Sequence, residues 1–149
     1  MDDKKLKILF LCTGNACRSQ MAEGWTRYLK NDVIEVFSAG VETHGVDPKA
    51  MAVMKEAGVD ISHHRSKHVS EFQDKQMDVV ITVCDNAKES CPYFPFAGKK
   101  VHRGFEDPPA LAKEIRKRGG DEQEQLDCYR KVRDEIRGFV EKLPDNVLS

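Results

Sequence analysis

The sequence reads as an α/β fold: a central four-stranded parallel sheet with helices on both faces, in a single domain over residues 1–149. Three observations carry this expectation. Apolar runs such as LKILFL (6–11) and MDVVITVC (77–84) show no polar alternation, as strands buried on both faces do. Stretches with helical spacing of apolar residues lie between such runs. Strand and helix therefore alternate, and parallel strands need crossovers of that kind.

The elements follow in order. After LKILFL, the residues Met21, Ala22, Trp25, Tyr28 and Leu29 fall on one side of a helix, with Trp25 as its core anchor. VIEVFSAG (33–40) is the second strand. Asp47-Pro48 starts a helix, Asp as N-cap and Pro at the first helical position, and Gly58 stops it. SEFQ (70–73) has the form of a capping box opening a short helix. MDVVITVC is the third strand, and KKVHRG (99–104) a weaker fourth. KEIRKRGGDEQEQ (113–125) reads as a solvated stretch broken at Gly119-Gly120. A last helix runs from Glu122 to Leu143 on a stripe including Leu126, Tyr129, Val132, Ile136 and Val140, with Cys128 packing on its flank.

Composition narrows the function. The chain is 40% hydrophobic and 33% charged, the balance of a globular core. A net charge of −1 argues against nucleic-acid or anionic-membrane partners. No apolar run approaches the roughly 20 residues of a membrane span, and the charged start MDDKKLK is no signal peptide. Five cysteines, an odd count without a secretion signal, indicate reactive thiols in a reducing cytoplasm rather than a disulfide framework.

In parallel α/β folds, ligands sit beyond the carboxyl ends of the strands. Cys12 and Cys84 lie at two such ends, and Asp107 follows the fourth strand. Cys12 opens CTGNACRS, in which Arg18 comes six residues later. That spacing alone is weak, but its context strengthens it. Gly14 and Asn15 tolerate unusual dihedrals, and Ser19 can cap the following helix. The backbone N–H groups of Thr13, Gly14, Asn15, Ala16, Cys17 and Arg18 would then cradle an oxyanion at a helix N-terminus. Arg18 would close the cradle with a bidentate fork. The same field favours the thiolate of Cys12, a nucleophile aimed at the centre of the anion. Cys17 supplies a backbone N–H.

The segment CTGNACRSQMAEGW resembles the loop of the low-molecular-weight tyrosine phosphatase superfamily, and the resemblance extends from Lys7 into the last helix. It implies Cys12 as nucleophile, Arg18 as anion clamp, Ser19 as hydrogen-bond partner of the thiolate, and Asp107 of GFEDPP as general acid. TVCDNAKESCP (82–92) adds Cys84 and Cys91, which a plain phosphatase does not need. Cys12, Cys84 and Cys91, with SAGVETHGV (38–46), the DIS of 60–62 and VRDEI (132–136), are similar to the thioredoxin-coupled arsenate reductases. That resemblance implies attack of Cys12 on arsenate, then a Cys12–Cys84 and finally a Cys84–Cys91 disulfide, the pair of thiols supplying two electrons. Segment 84–92 must rearrange between redox states for this exchange. The expected partners are arsenate or phosphate-like oxyanions and thioredoxin, or glutaredoxin, as electron donor to a monomer. Alternatives are a tyrosine or small-molecule phosphatase and a non-catalytic arsenite-binding sensor. Arg18 and Asp107 speak against the sensor, which needs neither clamp nor acid.

No tightly bound cofactor or metal is expected. In the family a potassium ion can sit behind the loop, and its ligands match Asn15, Glu23 and Ser38. Where relatives often carry an aspartate this chain has Lys67, whose ammonium could replace the cation.

Overall fold

A computed structural model describes residues 4–84 and 97–148. The order is β1 (Leu6–Cys12), α1 (Arg18–Lys30), β2 (Ile34–Gly40), α2 (Pro48–Glu56), a 3-10 helix (Val69–Phe72), β3 (Met77–Thr82), β4 (Ala97–His102), α3 (Pro108–Lys117), α4 (Glu122–Glu141) and α5 (Asp145–Leu148). All strand pairings are parallel, in the order β2-β1-β3-β4. This is the four-stranded parallel sheet that the apolar runs predict.

Alternation along β1 divides the core. Ile8, Phe10 and Cys12 face a cluster containing Trp25 of α1, Met54 of α2, Ala112 of α3 and Tyr129, Val132 and Ile136 of α4. Leu9 and Leu11 face the other way, against Ala39, Val80 and Phe72 of the 3-10 helix. Helical segments thus cover both faces, with the long α-helices gathered on one. Trp25 is the anchor its spacing predicts: it is wholly buried, its ring N–H donates to the Arg133 carbonyl at 3.2 Å, and Arg137 stacks over it. Tyr28, from the same periodic set, is exposed. No described helix is long and apolar enough to cross a membrane.

Several local expectations hold for the stated reasons. Asp47 caps α2, its Oδ1 accepting from Lys49 N at 2.9 Å, and Pro48 occupies the first helical position. Gly58 (φ +88°) and Gly119 (φ +83°) adopt the left-handed conformation that ends a helix. Others need correction. Ser19 does not cap α1: Cys17 is the N-cap residue without a side-chain cap, and Ser19 sits inside the first turn with its hydroxyl spent elsewhere. SEFQ is no capping box either, because the 3-10 helix starts one residue earlier with His68 as its cap. The first part of KEIRKRGGDEQEQ belongs to α3, which buries Pro108 and Ala112. The stretch itself is exposed over most of its length, as expected, and Asp107-Pro108 repeats the Asp-Pro helix start seen at Asp47.

Candidate active site: an oxyanion cradle around Cys12

The strand order places the carboxyl ends of β1, β2 and β3 side by side. Cys12 ends β1 opposite Gly40 of β2. Gly40 has to be glycine here, since a Cβ would come within 2.6 Å of Thr13 O and 2.8 Å of both Asn15 N and Cys12 O. The chain then wraps from Thr13 to Cys17 and enters α1 at Arg18.

Outward-facing carbonyls orient this loop. Thr13 O accepts from Glu42 N at 3.0 Å, Gly14 O from His44 N at 3.2 Å and Ala16 O from Asp47 N at 2.9 Å. The Ser66 hydroxyl lies 3.1 Å from Gly14 O and 2.7 Å from Asn15 O. In a planar trans peptide the C=O and N–H point opposite ways. Each held carbonyl therefore turns the N–H of the following residue, Gly14, Asn15, Ala16 or Cys17, toward the interior of the cradle.

Asn15 is the hub. It adopts φ +48°, a left-handed conformation that asparagine tolerates. Its Oδ1 accepts from Lys67 N at 2.7 Å and Gln20 Nε2 at 3.0 Å, which fixes the amide orientation. Its Nδ2 donates to Ser19 Oγ at 2.7 Å and Ser38 Oγ at 3.0 Å. Ser19 Oγ, which accepts from Asn15, also lies 2.9 Å from Cys12 Sγ, within hydrogen-bond distance. The sulfur expected as nucleophile thus has a buried hydrogen-bond partner in the Ser19 hydroxyl.

Cys12, Gly14, Arg18, His44 and Asp107 line a cleft of about 190 Å³. That holds a tetrahedral oxyanion but falls below the roughly 300 Å³ at which drug-sized ligand sites begin. Arg18 is buried, donates to Phe105 O at 3.2 Å and lies 3.6 Å from Asp107 Oδ1. Asp107 is the N-cap residue of α3, yet its side chain makes no capping hydrogen bond and faces Arg18 instead. Cys17 also lines the cleft, but burial first, then Asp47, pushes its thiol well above the ordinary value and keeps it protonated. A larger cleft of about 600 Å³ lies behind the loop against Glu23 and Lys67 and contains no thiol. Size does not identify the reactive centre here.

Cys12, Cys17 and Cys128 are free thiols, while the buried Cys84 is disulfide-bonded. Leu11 pairs with Thr82, and Val83 N donates to Leu11 O at 2.9 Å. Cys84 therefore follows the residue beside Cys12 on the adjacent strand. Standard strand geometry then separates the two Cα atoms by roughly 6 Å, within the disulfide range of about 4.4–6.8 Å. Cys91 and the rest of the rearranging segment expected at 84–92, beyond Cys84 itself, lie outside the described residues.

Behind the loop, Asn15, Ser38 and Glu23 do converge. Ser38 Oγ donates to Glu23 Oε1 at 2.5 Å. Lys67 Nζ lies 3.4 Å from the same oxygen and 2.9 Å from Arg65 O, and Arg27 Nη1 lies 2.9 Å from Glu23 Oε2. His64 bonds to Gln20 Oε1 at 2.9 Å and lies 3.8 Å from Glu23 Oε2. Both carboxylate oxygens thus already face cations. Among the described residues no group of three His, Cys, Asp or Glu is placed to hold a metal ion. The supporting roles of Gln20, His64, Ser66 and residues 42–47 had no local pattern to announce them, because each depends on a contact across the fold.

Comparison with known proteins agrees with this geometry. An "Arsenate reductase 2" of Staphylococcus saprophyticus subsp. saprophyticus is 44% identical over 144 residues, 97% of this chain and 99% of that one. An "Arsenate reductase" of Staphylococcus aureus is 46% identical over 140 residues, 94% and 96% of the two chains. A solved structure titled "An arsenate reductase in the phosphate binding state" superposes with a TM-score of 0.75 at 33% identity, covering 95% of this chain and 98% of its own. A low molecular weight protein tyrosine phosphatase from T. tengcongensis superposes at 0.70 with 29% identity, covering 96% and 100%. The family described as low molecular weight phosphotyrosine protein phosphatase matches residues 7–148, and the chain belongs to it.

Proposed function

We propose that the chain reduces arsenate to arsenite in the cytoplasm, with thiols as the electron source. The observation that carries this reading is the pairing of two features at one strand rim. A free Cys12 thiol sits in a small cleft with Arg18 and Asp107, and a disulfide-bonded Cys84 lies two residues past the end of the neighbouring strand. Hydrolysis of a phosphate ester needs the first feature only. The names of the relatives favour the same chemistry.

The Cys12 thiolate attacks arsenic(V) held by Arg18 and the loop N–H groups, and Asp107 protonates the departing hydroxide, which leaves as water. The Cys84 thiolate attacks the Cys12 sulfur. The sulfur–arsenic bond breaks with its electron pair passing to arsenic, so arsenite leaves and a Cys12–Cys84 disulfide remains. Cys91 attacks Cys84, Cys12 departs as thiolate, and a Cys84–Cys91 disulfide is left for an external dithiol protein. Thioredoxin is the donor we assign, because the oxidised product is an internal protein disulfide. We assign no metal to the reaction and place the Lys67 ammonium where relatives would hold potassium.

The test is arsenate-dependent NADPH consumption with thioredoxin and thioredoxin reductase, wild type against Cys91→Ser. Wild type should cycle, and the variant should perform about one turnover and accumulate the Cys12–Cys84 bond. Undiminished cycling in the variant would remove Cys91 from the scheme. No cycling in wild type with thioredoxin or glutaredoxin, alongside hydrolysis of an aryl phosphate, would leave a phosphatase.

A further inference from the structure

Tyr129 lies in the middle of α4, nearly wholly buried, and is 82 residues from its polar partner. Its hydroxyl donates to Asp47 Oδ2 at 2.5 Å. Asp47 Oδ1 is occupied by Lys49 N at 2.9 Å, and Asp47 N donates to Ala16 O at 2.9 Å. One residue thus joins α4, the start of α2 and the cradle.

A helix cap explains only part of this. Capping uses Oδ1 alone, and a phenylalanine would fill the space of the ring. The phenol O–H needs a reason, because a buried hydroxyl is costly unless it is bonded. The cradle supplies one. Ala16 C=O and Cys17 N–H belong to one planar peptide, so anchoring the carbonyl outward aims the N–H at the cleft. Glu42 and His44, which hold the Thr13 and Gly14 carbonyls, are exposed residues without a comparable tie to the helical core. Asp47 is also a negative charge close enough to act on Cys17, which lines the anion cleft. A hydroxyl donating to Oδ2 fixes that carboxylate.

We propose that the Tyr129 hydroxyl is a positioning residue for oxyanion binding: through Asp47 it holds the Ala16–Cys17 peptide in its anion-accepting orientation. The proposal rests on the reading of this cleft as the oxyanion site, and it deepens that reading. Tyr129 touches no substrate.

Phosphate binding by calorimetry tests it without relying on the redox relay. Tyr129→Phe should weaken the phosphate dissociation constant about tenfold, as expected for loss of a hydrogen bond to a charged group. The arsenate KM should rise in parallel, with kcat near wild type, because the thiol exchange is untouched. The double variant Tyr129→Phe/Asp47→Asn should bind phosphate no more weakly than the weaker of its two single variants, since the hydroxyl acts only through the Asp47 carboxylate. Phosphate affinity unchanged in Tyr129→Phe would overturn the proposal even if the variant melted earlier. Losses that simply multiply in the double variant would overturn it too, because the two side chains would then act independently. A wild-type protein that bound no phosphate would overturn the cleft reading and this inference together, which sets that failure apart from the others.

Discussion

The Ser19 hydroxyl lies 2.9 Å from the Cys12 sulfur and takes its own hydrogen bond from Asn15 Nδ2 at 2.7 Å. One buried hydroxyl thus links the loop hub Asn15 to the attacking sulfur. Removing the hydroxyl takes away the sulfur's hydrogen-bond partner, a contact worth about 1.5–3 kcal/mol when one partner is charged. Ser19→Ala is therefore expected to slow alkylation of Cys12 by iodoacetamide at neutral pH by about ten- to a hundredfold, and to lower kcat/KM for arsenate by a similar factor. Equal alkylation rates in variant and wild type would show that the contact does not govern the sulfur.

Gly40→Ala should dismantle the cradle. The added Cβ meets three backbone atoms, at 2.6 Å (Thr13 O) and 2.8 Å (Asn15 N and Cys12 O), and no flexible side chain can yield. The loop itself must move. Phosphate affinity should drop more than tenfold, with an overpacking cost of about 1–3 kcal/mol in urea unfolding. Gly138→Ala is the control: nothing lies within 4 Å of its Cβ, and alanine in a helix interior gains about 0.5–1 kcal/mol. If the two variants bind phosphate equally well, close packing at Gly40 does not set the loop.

The Lys67 ammonium spans Glu23 Oε1 and Arg65 O. With a cation already there, the melting temperature and arsenate turnover of wild type should be the same in potassium and sodium chloride. Lys67→Ala vacates the position and should melt earlier in sodium chloride, with partial recovery in potassium chloride. Potassium-dependent stability in wild type would contradict the substitution of ammonium for ion.

Glu23 and His64 give the fold a pH dependence of definite sign. Burial alone would push the Glu23 carboxyl up, but Lys67, the Ser38 hydroxyl, His64 and Arg27 outweigh it, and the net shift is downward. Burial pushes the His64 imidazole down, over the opposing attraction of Glu23. Both groups bind protons less readily in the folded protein, so the unfolded chain takes up more and stability rises with pH. The His64 contribution is complete above the ordinary 6.5 and is lost as pH falls below it; that of Glu23 is complete above 4.5 and is lost below that. Melting temperatures between pH 8 and 4 should fall in two stages, with His64→Gln flattening the first. Superimposable profiles would exclude His64 as the source.

The reach of the sequence is clearest at Cys12. A double-buried strand, a thiol at its end, a small polar loop and an arginine six residues on are local features, and local features survive in one dimension. So do the Asp-Pro helix start at Asp47 and the apolar stripe of α4. The same logic explains the misreadings: Ser19 satisfies a local rule for caps, but the buried Cys12 sulfur competes for its hydroxyl and wins. Tertiary structure alone decided the strand order that sets the end of β1 between those of β2 and β3, the amides of residues 42–47 that turn the loop carbonyls outward, and the 82-residue leap from Tyr129 to Asp47. Periodicity and spacing record which way a residue faces along its own element; they carry no record of which distant donor completes a buried polar group, and in this site those donors aim the chemistry.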